Sequence, residues 1–226
     1  MNEPAERLQQ VRERIRRAAL GAGRDPGTIG LVAVGKTRPA TALAALAAAG
    51  QRRFGENYLQ EALEKVEALT APGLEWHFIG PVQSNKTRPV ATRFHWLHSL
   101  DRLRIARRLS EQRPPELEPL QVCIQVNISG EATKAGVALA ELPALAREVA
   151  ALPRLRLRGL MALPAPEPDP RRQREPFARL REALEALNRE GFDLDTLSMG
   201  TSSDLEAAIA EGATLVRIGT ALFGPR

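Results

Sequence analysis

Apolar residues recur along this chain in two alternating rhythms. At the start, Leu8, Val11, Ile15 and Ala19 repeat at helical spacing among Arg and Glu, which predicts an amphipathic helix laid against a core. The segment GAGRDP ends it. Beyond that point short apolar runs alternate eight times with longer helical patterns. The runs predict strands over IGLVAVG (29–35), RRFGE (52–56), EWHFIG (75–80), FHWLHS (94–99), LQVCIQVN (120–127), LRLRGLMAL (155–163), TLSMG (196–200) and TLVRIGT (214–220). Helices are expected near 39–49, 57–69, 84–92, 101–112, 138–151, 171–190 and 203–211, with the opening helix in the eighth outer place. Strict alternation of strand and helix is the signature of parallel βαβ units. The chain therefore reads as an α/β fold, a single (β/α)8 TIM-like barrel with an extra N-terminal helix. No linker or repeat divides it, so one domain over 1–226 is expected. The structural alternative, a doubly wound open sheet, would place a glycine-rich phosphate loop after the first strand, where GKTRP stands.

In such a barrel the reactive side chains project from the carboxyl ends of the strands. Lys36 follows LVAV and Gly35, and alternation puts it on the face of Val32 and Val34, toward the barrel mouth. An amine desolvated there keeps a larger neutral fraction able to attack an aldehyde; the competing reading is a strand-end lysine reaching out to solvent. After the seventh strand, Ser202 or Ser203 is placed to cap a helix with Asp204 in its first turn. Free N–H groups and hydroxyls at a helix start form a seat for phosphate, although capping alone accounts for them equally well. The eighth strand ends in Gly219 and Thr220, and the loops after strands seven and eight are the recurrent phosphate site of barrels. Arg217 shares the inward face with Leu215 and Gly219, so its guanidinium needs an acceptor: a pyridine ring nitrogen, or an acid such as Glu56 in a buried ion pair. Asn57 reads as a ligand contact or a helix cap, and His77 as a ring contact or a hydrogen-bonded structural histidine. His95 and His98 lack a Cys or carboxylate at metal-ligand spacing, so no metal is expected. QSNKTR (83–88) and SGEATKAG (129–136) are polar strand-end loops whose lysines either bind anions or are solvated.

The formal net charge of +5 invites a nucleic-acid reading. Yet the arginines alternate with Glu in stretches such as ERLQQVRERIRR and REPFARLREALEALNRE, the pattern of an ion-paired helix face, and no aromatic platform accompanies them. No nucleic-acid partner is expected. Of 32 Lys and Arg only four are lysines, Lys36, Lys65, Lys86 and Lys134. Where Arg serves as the surface cation, each retained Lys is informative, because Arg cannot supply a neutral amine. The lone Cys123, in VCIQV, reads as a small buried residue. No apolar run nears the ~20 residues of a membrane span, and the charged start stands where a secretory signal would place an apolar block. A cytoplasmic protein with no membrane partner is expected.

Taken together these stretches resemble a known family. VAVGKTRP (32–39), RFGENYLQEALEK (53–65), WHFIGPVQSNK (76–86), HSLD (98–101), QVNISGEATKAG (125–136), RGLMALP (158–164) and LSMGTSSDLEAAIAEGATLVRIGTALFG (197–224) are similar, in this order, to segments of the pyridoxal phosphate homeostasis proteins. The resemblance implies an alanine-racemase-like barrel holding pyridoxal 5′-phosphate (PLP) as a Schiff base on Lys36. It implies a phosphate near Ser202, Gly219 and Thr220, Arg217 at the ring nitrogen, and Asn57, His77, Met199 and Gly200 in the same cofactor site. The chain departs at Gly35, where the family often has Ser, at Pro81, and at Thr201, where Met is common. Gly35 removes a hydroxyl expected near the Schiff base, and Gly35 and Thr201 are the departures expected to alter cofactor affinity.

Racemases of this fold carry a second, β-rich domain that supplies a tyrosine acid/base, whereas here Arg226 comes straight after the eighth strand and the single tyrosine, Tyr58, begins a helix. Racemisation needs proton transfer on both faces of a carbanion. The expected role is therefore intracellular PLP homeostasis, with capture, buffering and delivery to apo PLP-enzymes and little or no turnover. The alternatives are a PLP-dependent racemase-type enzyme and a cofactor-free Schiff-base aldolase. Ala- and Arg-rich helix faces leave a monomer and a weak dimer equally open.

Overall fold

The computed structural model describes residues 3–130 and 135–224. Its elements run α1 (Glu3–Gly21), β1 (Gly30–Val34), α2 (Ala40–Ala48), β2 (Arg53–Glu56), α3 (Leu59–Ala68), β3 (Glu75–Phe78), α4 (Thr87–Arg93), β4 (Trp96–Leu100) and α5 (Leu103–Gln112). They continue as β5 (Leu120–Gln125), α6 (Leu142–Ala150), β6 (Leu155–Met161), α7 (Pro170–Arg189), β7 (Thr196–Ser198), α8 (Leu205–Ala210), β8 (Leu215–Ile218) and α9 (Thr220–Phe223). The strands pair in chain order, all parallel, and β8 returns to β1 to close a TIM barrel.

Parallel strands under a ring of helices are buried on both faces, hence their continuous apolar runs. In β1, Leu31 and Ala33 join the core beneath the helices, while Val32 meets Trp96, Cys123, Met161 and Leu215 inside the barrel. On α1 the four buried residues are Leu8, Val11, Ile15 and Ala19, and that face packs against α2, α8 and α9. The arginines pair across and along the helices, as in Arg14–Glu206, Arg147–Glu190 and Arg181–Glu185. Each exposed pair contributes little stability, but together they break up the positive charge. Among the described residues no helix is long and apolar enough to cross a membrane.

Several strands stop short of the apolar runs that announce them, most by two residues at the carboxyl end, whereas β4 starts late, at Trp96, and runs on to Leu100. Residues 79–80, 162–163, 199–200 and 219–220 leave the ladder for loops, and Thr220 opens α9 instead of extending β8. Two glycines show the cause. A Cβ at Gly80 would lie 1.9 Å from the Asn57 carbonyl oxygen, and Gly200 adopts φ +92°, where a Cβ would meet Ala208 Cβ at 2.7 Å. Tight approach and left-handed backbone turn the chain outward at the rim, and the loops so freed form the mouth.

Candidate functional site

After β1 the chain turns so sharply that Thr37 adopts φ 63°. For a β-branched residue this left-handed conformation costs on the order of 1–3 kcal/mol. The turn is held from several sides. The Gly35 N–H donates to Gly55 O (2.9 Å), the Arg38 N–H to Gly35 O (2.9 Å) and the Thr37 N–H to Glu61 Oε1 (2.6 Å). Beneath it the buried Lys65 ammonium donates to Gly35 O (2.7 Å) and Glu56 Oε1 (2.8 Å), and pairs with Glu61. Lys36 thus lies in the turn just beyond β1 and lines the barrel mouth with Val34. No hydrogen bond or ion pair among the described residues engages its amine, in contrast to Lys65.

This clamp decides two expectations. Glu56 faces the helix layer and pairs with Lys65, so it is not the acceptor for Arg217. Burial pushes the Glu56 carboxyl up to about 7 against the pull of Lys65. A Cβ at Gly35 would lie 2.5 Å from Glu56 Oε1 and 2.9 Å from Leu43. A serine at that position would therefore aim at the helix layer, which corrects the idea of a hydroxyl beside Lys36.

Across the mouth, the loops after β7 and β8 meet. Ser202 Oγ accepts from the Ala221 N–H (3.4 Å), and the Ser202 carbonyl accepts from Arg14 of α1 (2.8 Å). The expected cap is displaced: Asp204 accepts from the Thr201 N–H (2.5 Å) and hydroxyl (2.8 Å), closing a turn, and α8 begins at Leu205. Ser202 and Ser203, released from capping, line the mouth with Thr201 and Thr220. Between these loops Arg217 is buried in the barrel, donating through Nη1 to Ser198 Oγ (2.6 Å) and through Nη2 to Ala162 O (2.9 Å). Burial lowers it to about 10, so it stays charged at neutral pH.

These pieces enclose a cavity of about 430 Å³, within the range of small-molecule sites. Lys36, Asn57, Ser202, Arg217, Gly219 and Thr220 all line it, with Val34, Ile79, Leu163 and Phe223 as its apolar walls. Asn57 is not the cap of α3, a position taken by Tyr58; its Oδ1 is buried without a hydrogen-bond partner among the described residues.

Three predicted residues do not line the cavity. Met199 follows the inward Ser198 and so turns outward, into the core beneath the helices. Gly200 shapes the turn, its carbonyl accepting from the Arg217 N–H (2.9 Å). His77 lies inside the barrel with Nδ1 2.8 Å from His98 Nε2 and Nε2 2.8 Å from Glu75 Oε1, so both ring nitrogens are engaged within the protein. Arg38, Ile79, Leu163 and Phe223 are cavity residues that the residue pattern did not single out; the signal available was an apolar run continuing past the rim in FIG and MALP. Lys86 is exposed, and Lys134 lies outside the described residues.

A closed parallel barrel whose mouth joins an amine, hydroxyl-bearing loops and a buried guanidinium defines a class, and comparison with known proteins agrees. The family model described as alanine racemase, N-terminal domain, matches residues 7–226, and the chain belongs to that family. Within it, the chain stands among the pyridoxal phosphate homeostasis proteins. The one from Pseudomonas aeruginosa is 63% identical over 100% of this chain and 97% of its own, and the one from Escherichia coli K12 is 57% identical over 100% and 98%. PipY of Synechococcus elongatus PCC7942, solved with PLP bound, superposes with a TM-score of 0.85 at 36% identity, covering 98% of this chain and 100% of that one. The two curated relatives are named as homeostasis proteins rather than as enzymes.

Proposed function

We propose that this chain binds PLP in the barrel mouth, covalently through Lys36, and acts inside the cell as a carrier that captures, buffers and hands on the cofactor with little or no turnover. The observation that carries the reading is an unengaged amine and a pair of hydroxyl-bearing loops on one cavity of about 430 Å³. PLP presents an aldehyde and a phosphate on one flat ring. Bound, it supplies an aldehyde carbon that condenses with a primary amine to a Schiff base, releasing one water.

The chain's own residues fit such a ligand. The strained turn aims Lys36 into the cavity, and its amine need not first be freed from a partner. Ser202 and Thr220 would hold the phosphate. Asn57, whose Oδ1 has no partner among the described residues, would take a ring hydroxyl, and the N–H groups that Arg217 does not spend on Ser198 and Ala162 would meet an unprotonated ring nitrogen. Ile79 and Leu163 offer apolar wall to the ring. Racemisation at an amino-acid α-carbon needs an acid or base on each face. Among the described residues no Asp, Glu, His, Cys or Tyr lines the cavity, and Tyr58 is 56% exposed outside it. Half-buried Lys36 and exposed Leu163 leave the mouth open for exchange with apo PLP-enzymes.

The test is the visible spectrum of the protein with added PLP, before and after borohydride, beside Lys36→Ala. A new band that reduction converts into a mass gain on the Lys36 peptide, missing in the variant, is the expected result. An unchanged spectrum in the wild type would sink the cofactor assignment. Racemisation at rates ordinary for PLP enzymes would sink the carrier role.

A further inference from the structure

Below the cavity the barrel interior is only partly apolar. Ser198, His98 and His77 are fully buried there, beside Val32, Trp96 and Leu215, and they are joined end to end. Arg217 Nη1 lies 2.6 Å from Ser198 Oγ, and Ser198 Oγ lies 2.6 Å from His98 Nδ1. His98 Nε2 lies 2.8 Å from His77 Nδ1, and His77 Nε2 lies 2.8 Å from Glu75 Oε1, at the start of β3. Trp96 stacks on His77, with ring centres 5.5 Å apart.

The protons of this chain are placed by elimination. A guanidinium only donates, so Ser198 accepts from Arg217 and turns its single proton to His98 Nδ1. His98 then carries its proton on Nε2 and donates to His77 Nδ1. His77 carries its own on Nε2 and donates to the Glu75 carboxylate. All four bonds run one way, from cation to anion. Reversing the two imidazoles would set a lone pair of His77 against that carboxylate. Both histidines are kept neutral by burial, which outweighs Glu75 at His77 and is reinforced by His77 and Arg217 at His98. Burial works against ionised Glu75, but the hydrogen bond to His77 and the nearby Arg53 hold its carboxyl below the usual range. Among the described residues no carboxylate touches Arg217 itself; Asp204 and Cys123 act on it only at longer range.

Resting on the reading of the cavity as a PLP site, we propose that Ser198, His98, His77 and Glu75 are positioning residues for Arg217. The one-way chain holds the guanidinium as a donor toward the cavity and brings its counter-charge from the far end of the barrel. The cavity side of Arg217 is thereby left without an acid, and the site selects a ligand whose ring nitrogen is an unprotonated acceptor. A carboxylate in the same place would favour a protonated ring instead.

The experiment compares affinities for PLP and for its deaza analogue, with CH in place of the ring nitrogen. The proteins are the wild type, Ser198→Ala and Glu75→Ala, each checked for borohydride fixation at Lys36. The wild type is expected to prefer PLP by about tenfold, the worth of one hydrogen bond to a charged donor, and the preference should shrink to about threefold or less in both variants while fixation persists. An equal preference in all three proteins overturns the chain but leaves the Lys36 site standing; absence of fixation in the wild type overturns the underlying reading. Should Ser198→Ala not fold, Glu75→Ala, altered at the partly exposed end, carries the comparison. Independently, nitrogen NMR of the wild type without ligand should show His77 and His98 neutral and protonated on Nε2 across neutral pH. A proton on Nδ1 of either, or an imidazolium, overturns the proposal.

Discussion

The substitution Glu56→Gln tests the clamp under Lys36 through its dependence on pH. The wild-type carboxyl is wholly buried, Oε1 takes the Lys65 ammonium at 2.8 Å, and Oε2 has no partner among the described residues. Burial, only partly offset by Lys65, raises it from 4.5 to about 7. In the unfolded chain the same group titrates near 4.5, so between those values the folded state keeps a proton that the unfolded state has lost. Stability therefore falls as pH rises through this window, by about 3 kcal/mol at 1.36 kcal/mol per unit. The variant's glutamine cannot titrate, yet its amide oxygen still accepts from Lys65. The stability difference between variant and wild type should move in the variant's favour by about 3 kcal/mol from pH 4.5 to pH 7.5, read as a relative melting shift of roughly 6–12 °C for a chain of this size. Thermal unfolding across that range measures it. A difference that stays flat, or that moves toward the wild type as pH rises, would refute the reasoning, because it would mean that Lys65 and not burial sets the charge of Glu56.

Two further outcomes follow from the rim. Gly200→Ala must accept φ +92° with its Cβ 2.7 Å from Ala208 Cβ, so a loss of about 1–3 kcal/mol is expected; an unchanged melting temperature would show that the turn relaxes freely. Ser202→Ala combined with Thr220→Ala should weaken PLP by about tenfold or more while leaving unphosphorylated pyridoxal nearly unaffected, since hydrogen bonds to a charged ligand are the ones removed. Equal weakening of both ligands in a titration would move the phosphate elsewhere.

The residue pattern reveals the barrel because strand and helix impose different periods, and every strand here is buried on both faces. It also reveals why Lys36, Asn57, Ser202, Arg217, Gly219 and Thr220 gather, since each sits at a carboxyl strand end and the topology brings those ends to one rim. Where the ladder stops is not legible in hydrophobicity. Met199 and Gly200 belong to an apolar run, yet the left-handed turn at Gly200 ends β7 at Ser198. The contact between His77 and His98 joins neighbouring strands across 21 positions, and it depends on how far the barrel staggers, which periodicity does not report. Thr37 in a left-handed turn runs against its own propensity; only the surrounding clamp from Glu61, Lys65 and Gly55 makes it tenable.

The pairing of β8 with β1, with Val32 opposite Arg217 and Ala33 opposite Ile218, is the seam at which the first strand meets the last. Lys36 hangs from one lip of that seam, and Gly219 and Thr220 from the other. A ligand gripped by both is a clasp across the joint. During synthesis no clasp can form until the eighth strand has emerged, so capture reports a finished barrel. Once formed, it adds about 2.7 kcal/mol at a hundredfold excess over Kd. The supply of such a ligand would then govern how long the folded chain survives as well as how much of it is loaded.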